Sequence, residues 1–269
     1  MTQQAGSQRP RHIDVVASYD RGVDAYEVLW SPVILPPAIA LVRRLELGSA
    51  NLVVDVGAGT GALLAAIRSA APTARTVALD ASEQMLRVAR RRGTSAVLGD
   101  ALALPLAAAC ADAVVMAYVL PHLADPVLAL TEAARVLRHQ GQIGTVTWAW
   151  EQVPRAGDLW QLILTEAGVP AGPVRGDDTG LDNPGAVEAT LRSAGLRPTQ
   201  IWPQPVRRQW DRSSYLKLAS GSGASQIRLS KVDAATRAAA FTSLQDALER
   251  LGPDALLFEG EVLCAIATK

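Results

Sequence analysis

The sequence lacks the excess charge, the paired cysteines and the long uninterrupted apolar run that mark several classes of protein. Its 269 residues carry 26 basic and 26 acidic side chains, so no excess of charge favours nucleic-acid binding. Its two cysteines, Cys110 and Cys264, make neither a disulfide framework nor a spaced pair of metal ligands. We therefore expect a cytoplasmic protein without a metal. The most apolar long window, residues 101–124, contains an aspartate, a histidine and two prolines, which argues against a membrane span.

Apolar residues, by contrast, make up 49% of the chain, which is enough for a packed core. Short β-branched runs alternate with helical segments in the middle of the chain, and this alternation predicts parallel strands with helices on both faces of a sheet. We predict an α/β fold with a helical lid at 1–47, a core at 48–150, and the rest of the sheet with helical cap insertions at 151–269. Strands are predicted at 51–56, 75–80, 95–98, 111–117 and 142–150, and helices at 62–70, 82–92 and 125–138.

The strongest motif is a glycine-rich turn after the first predicted strand, VVDVGAGTG at residues 53–61. Glycines 57, 59 and 61 permit positive φ and a close approach of the backbone to a ligand, and the following helix supplies oriented N–H groups. Position 62 is alanine, so the third glycine of the dinucleotide fingerprint is missing. Asp55 precedes the turn, where a carboxylate suits a cationic group and repels a pyrophosphate.

Two further acidic residues follow the next predicted strands. Asp80 ends the second strand, where a carboxylate can accept hydrogen bonds from two ribose hydroxyls. Asp100 follows the third strand and can accept a hydrogen bond from the exocyclic amine of a purine. This edge of the sheet therefore offers groups for an ammonium, a ribose and an adenine, and little for a phosphate.

These residues resemble the class I S-adenosylmethionine-dependent methyltransferases. The family's motifs appear in order as VVDVGAGTG, ALDASEQML, GDALALPL, ADAVVMAYVLPHLADP and LTEAARVLRHQGQIGTVTW. The resemblance implies a Rossmann-like, seven-stranded, mostly parallel sheet with one antiparallel strand in its last hairpin, and S-adenosylmethionine as cofactor. Near the N-terminus, Tyr19-Asp20 and Tyr26 are similar to the Tyr-Asp…Tyr motif of one subgroup. That subgroup methylates small molecules in quinone biosynthesis and natural-product formation.

The resemblance also implies roles for single residues. The three glycines would pack against the methionine and ribose, Asp80 would hold the ribose, and Asp100 would flank the adenine. Tyr19 and Tyr26 would lie over the cofactor; alternatively they are interior aromatics seven residues apart on one helix face. The full expected cofactor set is Tyr19, Tyr26, Asp55, Gly57, Ala58, Gly59, Gly61, Asp80, Ala81, Met85, Gly99, Asp100, Ala101, Ala117 and Tyr118.

Departures from the family pattern bear on which acceptor is methylated and on which residue acts as a base. The chain reads Ala117-Tyr118-Val119-Leu120 after the fourth strand, without the Asn-Pro-Pro-Tyr of enzymes that methylate amines of DNA bases. The family's usual His-His is Pro121-His122 here. His122 is the candidate general base, because it alone of three histidines follows a strand's carboxyl end. The alternative is a loop histidine that caps backbone groups.

Tryptophan is abundant, with six residues against two phenylalanines. Trp148 and Trp150 alternate at the end of the fifth predicted strand and are predicted to face the same way. Together with Trp30 they are candidates for an apolar or aromatic substrate pocket, the alternative being ordinary core packing.

We therefore expect methyl transfer to a small, apolar or aromatic molecule by a monomer or homodimer. Oxygen is the first expectation for the methylated atom and carbon the second. Three alternatives stay open: a methyltransferase-fold protein with a non-methylating role such as cyclisation or scaffolding, a nicotinamide-dependent oxidoreductase, and an RNA methyltransferase.

Overall fold

A computed structural model describes residues 12–152, 154–171, 180–221, 225 and 228–269. Within these residues, seven strands form one sheet in the order β3-β2-β1-β4-β5-β7-β6. Strands β1 to β5 run parallel, and β7 is antiparallel to both neighbours, which confirms the predicted α/β fold. The strands are β1 (Leu52–Val56), β2 (Arg75–Asp80), β3 (Ser95–Leu98), β4 (Ala111–Ala117), β5 (Leu137–Gln152), β6 (Arg197–Gln209) and β7 (Leu257–Thr268).

Helices cover both faces of this sheet. Ser82 caps α5 by accepting a hydrogen bond from the backbone N–H of Met85, as its position before the helix predicts. Tyr26–Trp30 form a π-helical turn between α2 and α3. The α-helices are α1 (His12–Arg21), α2 (Val23–Ala25), α3 (Ser31–Val42), α4 (Leu64–Ala70), α5 (Glu83–Arg91), α6 (Pro126–Val136), α7 (Arg155–Glu166), α8 (Pro184–Ser193), α9 (Arg212–Gly221) and α10 (Ala234–Arg250).

The two faces of the sheet carry separate parts of the core. On one face α3 packs on β5, β6 and β7 and α4 packs on β2; residues such as Val115 and Cys264 belong to this part of the core, as do buried residues of α7 and α10. On the other face α6 and α8 pack over residues such as Val114 and Leu263. The strand order reverses between β1 and β4, because β2 lies on one side of β1 and β4 on the other. Ligands of open α/β sheets bind at such a reversal, outside the carboxyl ends of the strands.

The longest apolar helical run is Val23–Val42, which has the length and composition of a membrane span. It is not the window 101–124 that composition alone singles out. Its end packs on the sheet, where Leu41 and Val42 are fully buried. Gly144 of β5 permits this contact, because a Cβ there would lie 3.0 Å from Cδ2 of Leu41. The last part of the run, in α3, therefore packs into the core of this fold.

The boundary between α6 and β5 differs from the prediction. The helix ends at Val136 rather than 138, and β5 begins at Leu137 rather than 142. Leu137 is extended and pairs with Ala111 before the register shifts. Further support comes from β7, because the backbone N–H of Lys269 donates to the carbonyl of Gly141. Pairing across the sheet overrides the helical pattern of the sequence here.

We expect Leu41→Ala to lower the free energy of unfolding by about 2–5 kcal/mol, because it removes a fully buried side chain that anchors α3 on β5. Leu162→Ala on α7 is the control, since Leu162 is 53% exposed. Urea denaturation of both variants measures the effect. A loss below about 1 kcal/mol for Leu41→Ala would contradict the packing described for α3.

Candidate functional site

The glycine-rich turn connects β1 to α4 at the point where the strand order reverses. Gly57, Gly59 and Gly61 all have positive φ, between 55° and 76°, a region that favours glycine. The turn is tied to β2, because the backbone N–H of Gly57 donates to the carbonyl of Leu79 at 2.7 Å. Gly61 also lets α4 approach α5, since a Cβ there would lie 3.1 Å from the Cβ of Ala89.

Asp80 joins this turn to the start of α5. One of its carboxylate oxygens accepts from the backbone N–H of Gly59 and the other from the backbone N–H of Ser82, each at 2.8 Å. Burial raises the pKa of Asp80, while these backbone hydrogen bonds act in the opposite direction. The carboxylate therefore fixes the geometry of two backbone segments and keeps lone pairs for further donors.

Asp55 lies at the end of β1 and is almost completely buried, with 2% of its surface exposed. Its Oδ2 has no hydrogen-bond partner among the described residues. Burial, and secondarily the neighbouring Asp80, raises the pKa of Asp55 to about 8. A buried carboxyl group without a donor is costly, so this atom marks a place where a cationic or donating ligand group would be stabilised.

The N-terminal helices lie beside the turn, where Tyr26 contacts Gly59 and two other side chains contact neighbouring segments. Asp20 accepts hydrogen bonds from Oγ of Ser82 at 2.5 Å and from a backbone N–H at 3.3 Å. Oη of Tyr19 lies 3.1 Å from Nε2 of His122. Tyr26 meets Tyr19 edge to face, and its ring lies 3.6 Å from where a Cβ of Gly59 would be. The structure thus brings Tyr19, Tyr26 and His122 to the turn.

Asp20 and Ser82 are contacts that the sequence analysis did not place in the site. The available signal was position: Asp20 adjoins Tyr19 in the opening motif, and Ser82 follows Asp80 by two residues. Neither position shows that the two side chains meet, because they are 62 residues apart in the chain. Thr60, within the glycine-rich turn, was also missed; it is 1% exposed and its hydroxyl has no partner among the described residues.

A cavity of about 40 Å³ lies between α3, the π-helical turn and the glycine-rich turn. Three buried polar atoms without hydrogen-bond partners in the described structure belong to residues that line it: Oδ2 of Asp55, Oγ1 of Thr60 and Oη of Tyr118. Sites for cofactor-sized ligands measure about 300–1,000 Å³. A ligand of that size therefore requires the N-terminal helices to shift away from the turn. The lining residues are Tyr26, Ser31, Ile34, Leu35, Ala38, Asp55, Gly57, Ala58, Thr60, Ala62, Leu63, Ala117 and Tyr118.

The residues expected around an adenine lie beside Asp80. Gly99 follows β3, and its backbone N–H donates to the carbonyl of Asp80 at 3.0 Å. Asp100 is exposed, and its Oδ1 accepts from the backbone N–H of Leu102 at 2.9 Å. The remaining members of this group are Ala81, half-buried, and Met85 and Ala101, both buried.

Four aromatic rings form a cluster at the carboxyl ends of β4 and β5; we call it the aromatic cluster, made of Trp30, Tyr118, Trp148 and Phe258. The ring of Trp148 lies 6.4 Å from Trp30, 5.8 Å from Phe258 and 5.5 Å from Tyr118, between centroids. Trp30 and Phe258 are 5.5 Å apart. Phe258 was missed by sequence reasoning, because nothing local marks a residue of β7 as a neighbour of β5.

The prediction that Trp150 faces the same way as Trp148 is wrong. Trp148 pairs with Val262 and Trp150 with Glu261, so a β-bulge lies between them and breaks the alternation of faces. Trp150 is consequently 51% exposed and is separated from the aromatic cluster. Glu151, which pairs with Gly260, takes the face that strict alternation would give to Trp150.

The chain is similar in sequence to known methyltransferases. Residues 54–144 match a family described as a methyltransferase domain. A malonyl-[acyl-carrier protein] O-methyltransferase from Methylococcus capsulatus is 31% identical over 177 residues, which cover 63% of this chain and 60% of that protein. A demethylmenaquinone methyltransferase from Corynebacterium efficiens is 32% identical over 122 residues, 45% of this chain and 52% of that protein. The chain thus spans less than two thirds of these curated relatives.

Among solved structures, the [4+2]-cyclase SpnF superposes with a TM-score of 0.62 over 98% of this chain and 99% of that one. The sequence identity is 18%, so this likeness concerns the fold alone.

We expect Asp55→Asn to change how stability depends on pH. The pKa of about 8 lies above the ordinary 3.8, so the folded state binds this proton more tightly than the unfolded state. The wild-type free energy of unfolding should therefore fall, relative to the variant, as pH rises from about 4 to about 8, by up to about 1.4 kcal/mol per pH unit. Above that window the difference should be constant.

Urea denaturation at pH 5, 6, 7, 8 and 9 measures this difference. Asp246→Asn, at an exposed position of α10, is the matched control and should give a curve parallel to the wild type. Parallel curves for Asp55→Asn would contradict the raised pKa.

The matched segment contains the glycine-rich turn, Asp55, Asp80 and the aromatic-bearing end of β4. The cofactor of this family is S-adenosylmethionine, whose ammonium group fits the unpartnered oxygen of buried Asp55 and whose ribose hydroxyls fit Asp80. Over residues 54–144 the chain is therefore similar to the methyltransferase domains that use S-adenosylmethionine.

Proposed function

We propose that this chain transfers a methyl group from S-adenosylmethionine to a small, aromatic or apolar molecule. The observation that carries the proposal is the buried, unpartnered carboxyl oxygen of Asp55 beside a glycine-rich turn. An acidic group there stabilises an ammonium, whereas it would repel the pyrophosphate of a nicotinamide dinucleotide. The turn also lacks the third glycine of the dinucleotide fingerprint, since position 62 is alanine.

We assign the cofactor-binding residues from their positions. Asp55 would hold the ammonium, Asp80 the ribose hydroxyls and Asp100 the amine of the adenine. Gly57, Ala58, Gly59 and Gly61 would allow close approach of the backbone, and Tyr19 and Tyr26 would cover the cofactor. Ala81, Met85, Gly99 and Ala101 would surround the adenine, with Ala117 and Tyr118 on the methionine side.

The cofactor, when bound, would supply a sulfonium methyl group, whose carbon the acceptor's nucleophile attacks in line while the carbon–sulfur bond breaks and the neutral thioether leaves. The protein's part is to align the acceptor and to exclude water. Tyr19, Tyr26 and Asp20 close the N-terminal helices over the turn and supply that exclusion. The N-terminal helices cover the turn, and this enclosure favours a small acceptor over a polymer.

His122 is the proposed general base for an acceptor that is protonated at working pH. It lies in the turn Leu120–His122 directly after β4. Its Nε2 faces the hydroxyl of Tyr19, so the base is placed where the N-terminal helices meet the sheet.

The aromatic cluster is the proposed wall of the acceptor site, with Trp30 and Trp148 as its half-buried members. The similar demethylmenaquinone methyltransferase and malonyl-[acyl-carrier protein] O-methyltransferase act on different acceptors, so they do not fix the methylated atom. Oxygen is our first proposal and carbon the second. We also propose a cytoplasmic monomer or homodimer.

A non-methylating role is the second candidate, because the fold is shared with a [4+2]-cyclase over nearly the whole chain. Retained cofactor binding without transfer to any acceptor in a broad screen would favour that role over methylation.

Calorimetric titration with S-adenosylhomocysteine, and separately with NADH, tests the proposal. We expect micromolar binding of the thioether and none of NADH. Asp80→Ala should weaken thioether binding by at least tenfold, because it removes the ribose contact and two backbone hydrogen bonds. Asp246→Asn, with its exposed side chain, should bind normally.

A 2′-deoxy derivative of S-adenosylhomocysteine separates the ribose contact from loss of turn structure. The wild type should prefer the hydroxylated ligand, and Asp80→Ala should show little preference. A preference that survives in Asp80→Ala would overturn the ribose assignment, and binding of NADH alone would overturn the proposed function.

For the general base, we expect His122→Ala to lower turnover of an identified acceptor by about 10²–10⁴-fold while the affinity for S-adenosylhomocysteine changes little. Tyr19→Phe is the companion variant, because it removes the hydroxyl that contacts His122 and leaves the imidazole in place. Near-normal turnover in His122→Ala, with the acceptor bound normally, would assign the histidine a structural role.

A further inference from the structure

Tyr118 has an unusual backbone for a bulky residue. It follows β4 directly and has a φ of 62°, in the left-handed region that tyrosine rarely adopts. Such a conformation costs about 1–3 kcal/mol and persists where surrounding structure imposes it. Here its backbone N–H donates to the carbonyl of Val146 in β5 at 2.8 Å. Strained residues of this kind concentrate at ligand sites, so the conformation calls for a functional explanation.

The strained backbone directs a polar group into the protein interior. The side chain of Tyr118 is 9% exposed, and its hydroxyl has no hydrogen-bond partner among the described residues. Burying a hydroxyl without a partner costs about 1–3 kcal/mol. Burial also raises the pKa of Tyr118, so the phenol stays protonated and is a hydrogen-bond donor at neutral pH. Tyr118 therefore combines a strained backbone with a buried hydroxyl that has no hydrogen-bond partner among the described residues.

Tyr118 stands between the two proposed halves of the site. It lines the cavity that also contains Asp55 and Gly57, on the cofactor side. Its ring lies 5.5 Å from the ring of Trp148 and so belongs to the aromatic cluster as well. Of the four rings in that cluster, Phe258 has no polar atom, and both tryptophans carry only an indole N–H. The hydroxyl of Tyr118 is therefore the cluster's group nearest to the cofactor cavity that can donate to a ligand oxygen.

We propose that Tyr118 is a specificity-determining residue whose hydroxyl donates a hydrogen bond to an oxygen atom on a planar aromatic acceptor. The aromatic cluster recognises the ring, and Tyr118 selects rings that carry oxygen over rings that carry a methyl group at the same position. The proposal rests on the proposed function, because it places the acceptor beside the cofactor. It goes further in naming an oxygenated aromatic as the acceptor class and one side chain as its polar contact.

Equilibrium dialysis with two probes of similar shape, 1-naphthol and 1-methylnaphthalene, tests this in the presence of saturating S-adenosylhomocysteine. The wild type should bind 1-naphthol about 3- to 10-fold more tightly, the range for one hydrogen bond. Tyr118→Phe keeps the ring and backbone but removes the donor. We expect the preference to vanish or reverse, because the naphthol hydroxyl then leaves water without gaining a partner.

Two controls accompany the measurement. Tyr215→Phe, at a buried position of α9 outside the cavity, should keep the wild-type preference. The urea midpoint of Tyr118→Phe should stay close to the wild type, which shows that a lost preference does not come from a loss of folding.

The outcomes separate this inference from the proposed function. If the wild type does not bind S-adenosylhomocysteine, the proposed function is wrong. Normal binding of that ligand, with an undiminished preference for 1-naphthol in Tyr118→Phe, would overturn only the role of Tyr118. Failure of both probes to bind the wild type would overturn the placement of an oxygenated aromatic beside Tyr118.

Discussion

The site depends on one carboxylate, that of Asp80. Its two oxygens accept backbone N–H groups from Gly59 and from Ser82, so it fastens the turn after β1 to the start of the helix after β2. Ser82 in turn donates to Asp20, which docks the N-terminal helices. A side chain that connects two turns beneath the N-terminal helices also loses much of its exposure to water. The fold therefore gathers raised pKa values at Asp55 and Asp80, where a ligand's donors and positive charge would relieve the cost of burial.

The sequence predicts a structural feature correctly where one short segment determines that feature. The β-branched run before Gly57 predicts β1, the alternation of strands and helices predicts the sheet, and Ser82 is visible as a helix cap. The prediction fails where segments far apart in the chain determine where an element ends or which way a side chain points. Helix α6 stops at Val136 because β5 starts early, and Trp150 turns away because a bulge adjusts β5 to β7. Phe258 joins the aromatic cluster from more than 100 residues away in the chain, and no local pattern marks that contact.

The N-terminal helices and the aromatic cluster are linked by one short element, the π-helical turn Tyr26–Trp30. Its first residue lies against the glycine-rich turn and its last against Trp148. Turns of this type often occur at functional sites, because the wider winding shifts which side chains face inward. A shift of this segment would therefore move Tyr26 at the glycine-rich turn and Trp30 in the aromatic cluster together.

The position of β7 in the sheet has a consequence for synthesis. Strand β6 pairs with β7, which follows it by some fifty residues, and β7 in turn separates β6 from β5. During synthesis, β6 therefore stays unpaired until β7 has emerged from the ribosome. Exposed strands that wait in this way invite pairing with other chains. Pro198, Pro203 and Pro205 within β6 lack backbone N–H groups, which limits the pairing that this strand can make with other chains before β7 joins it.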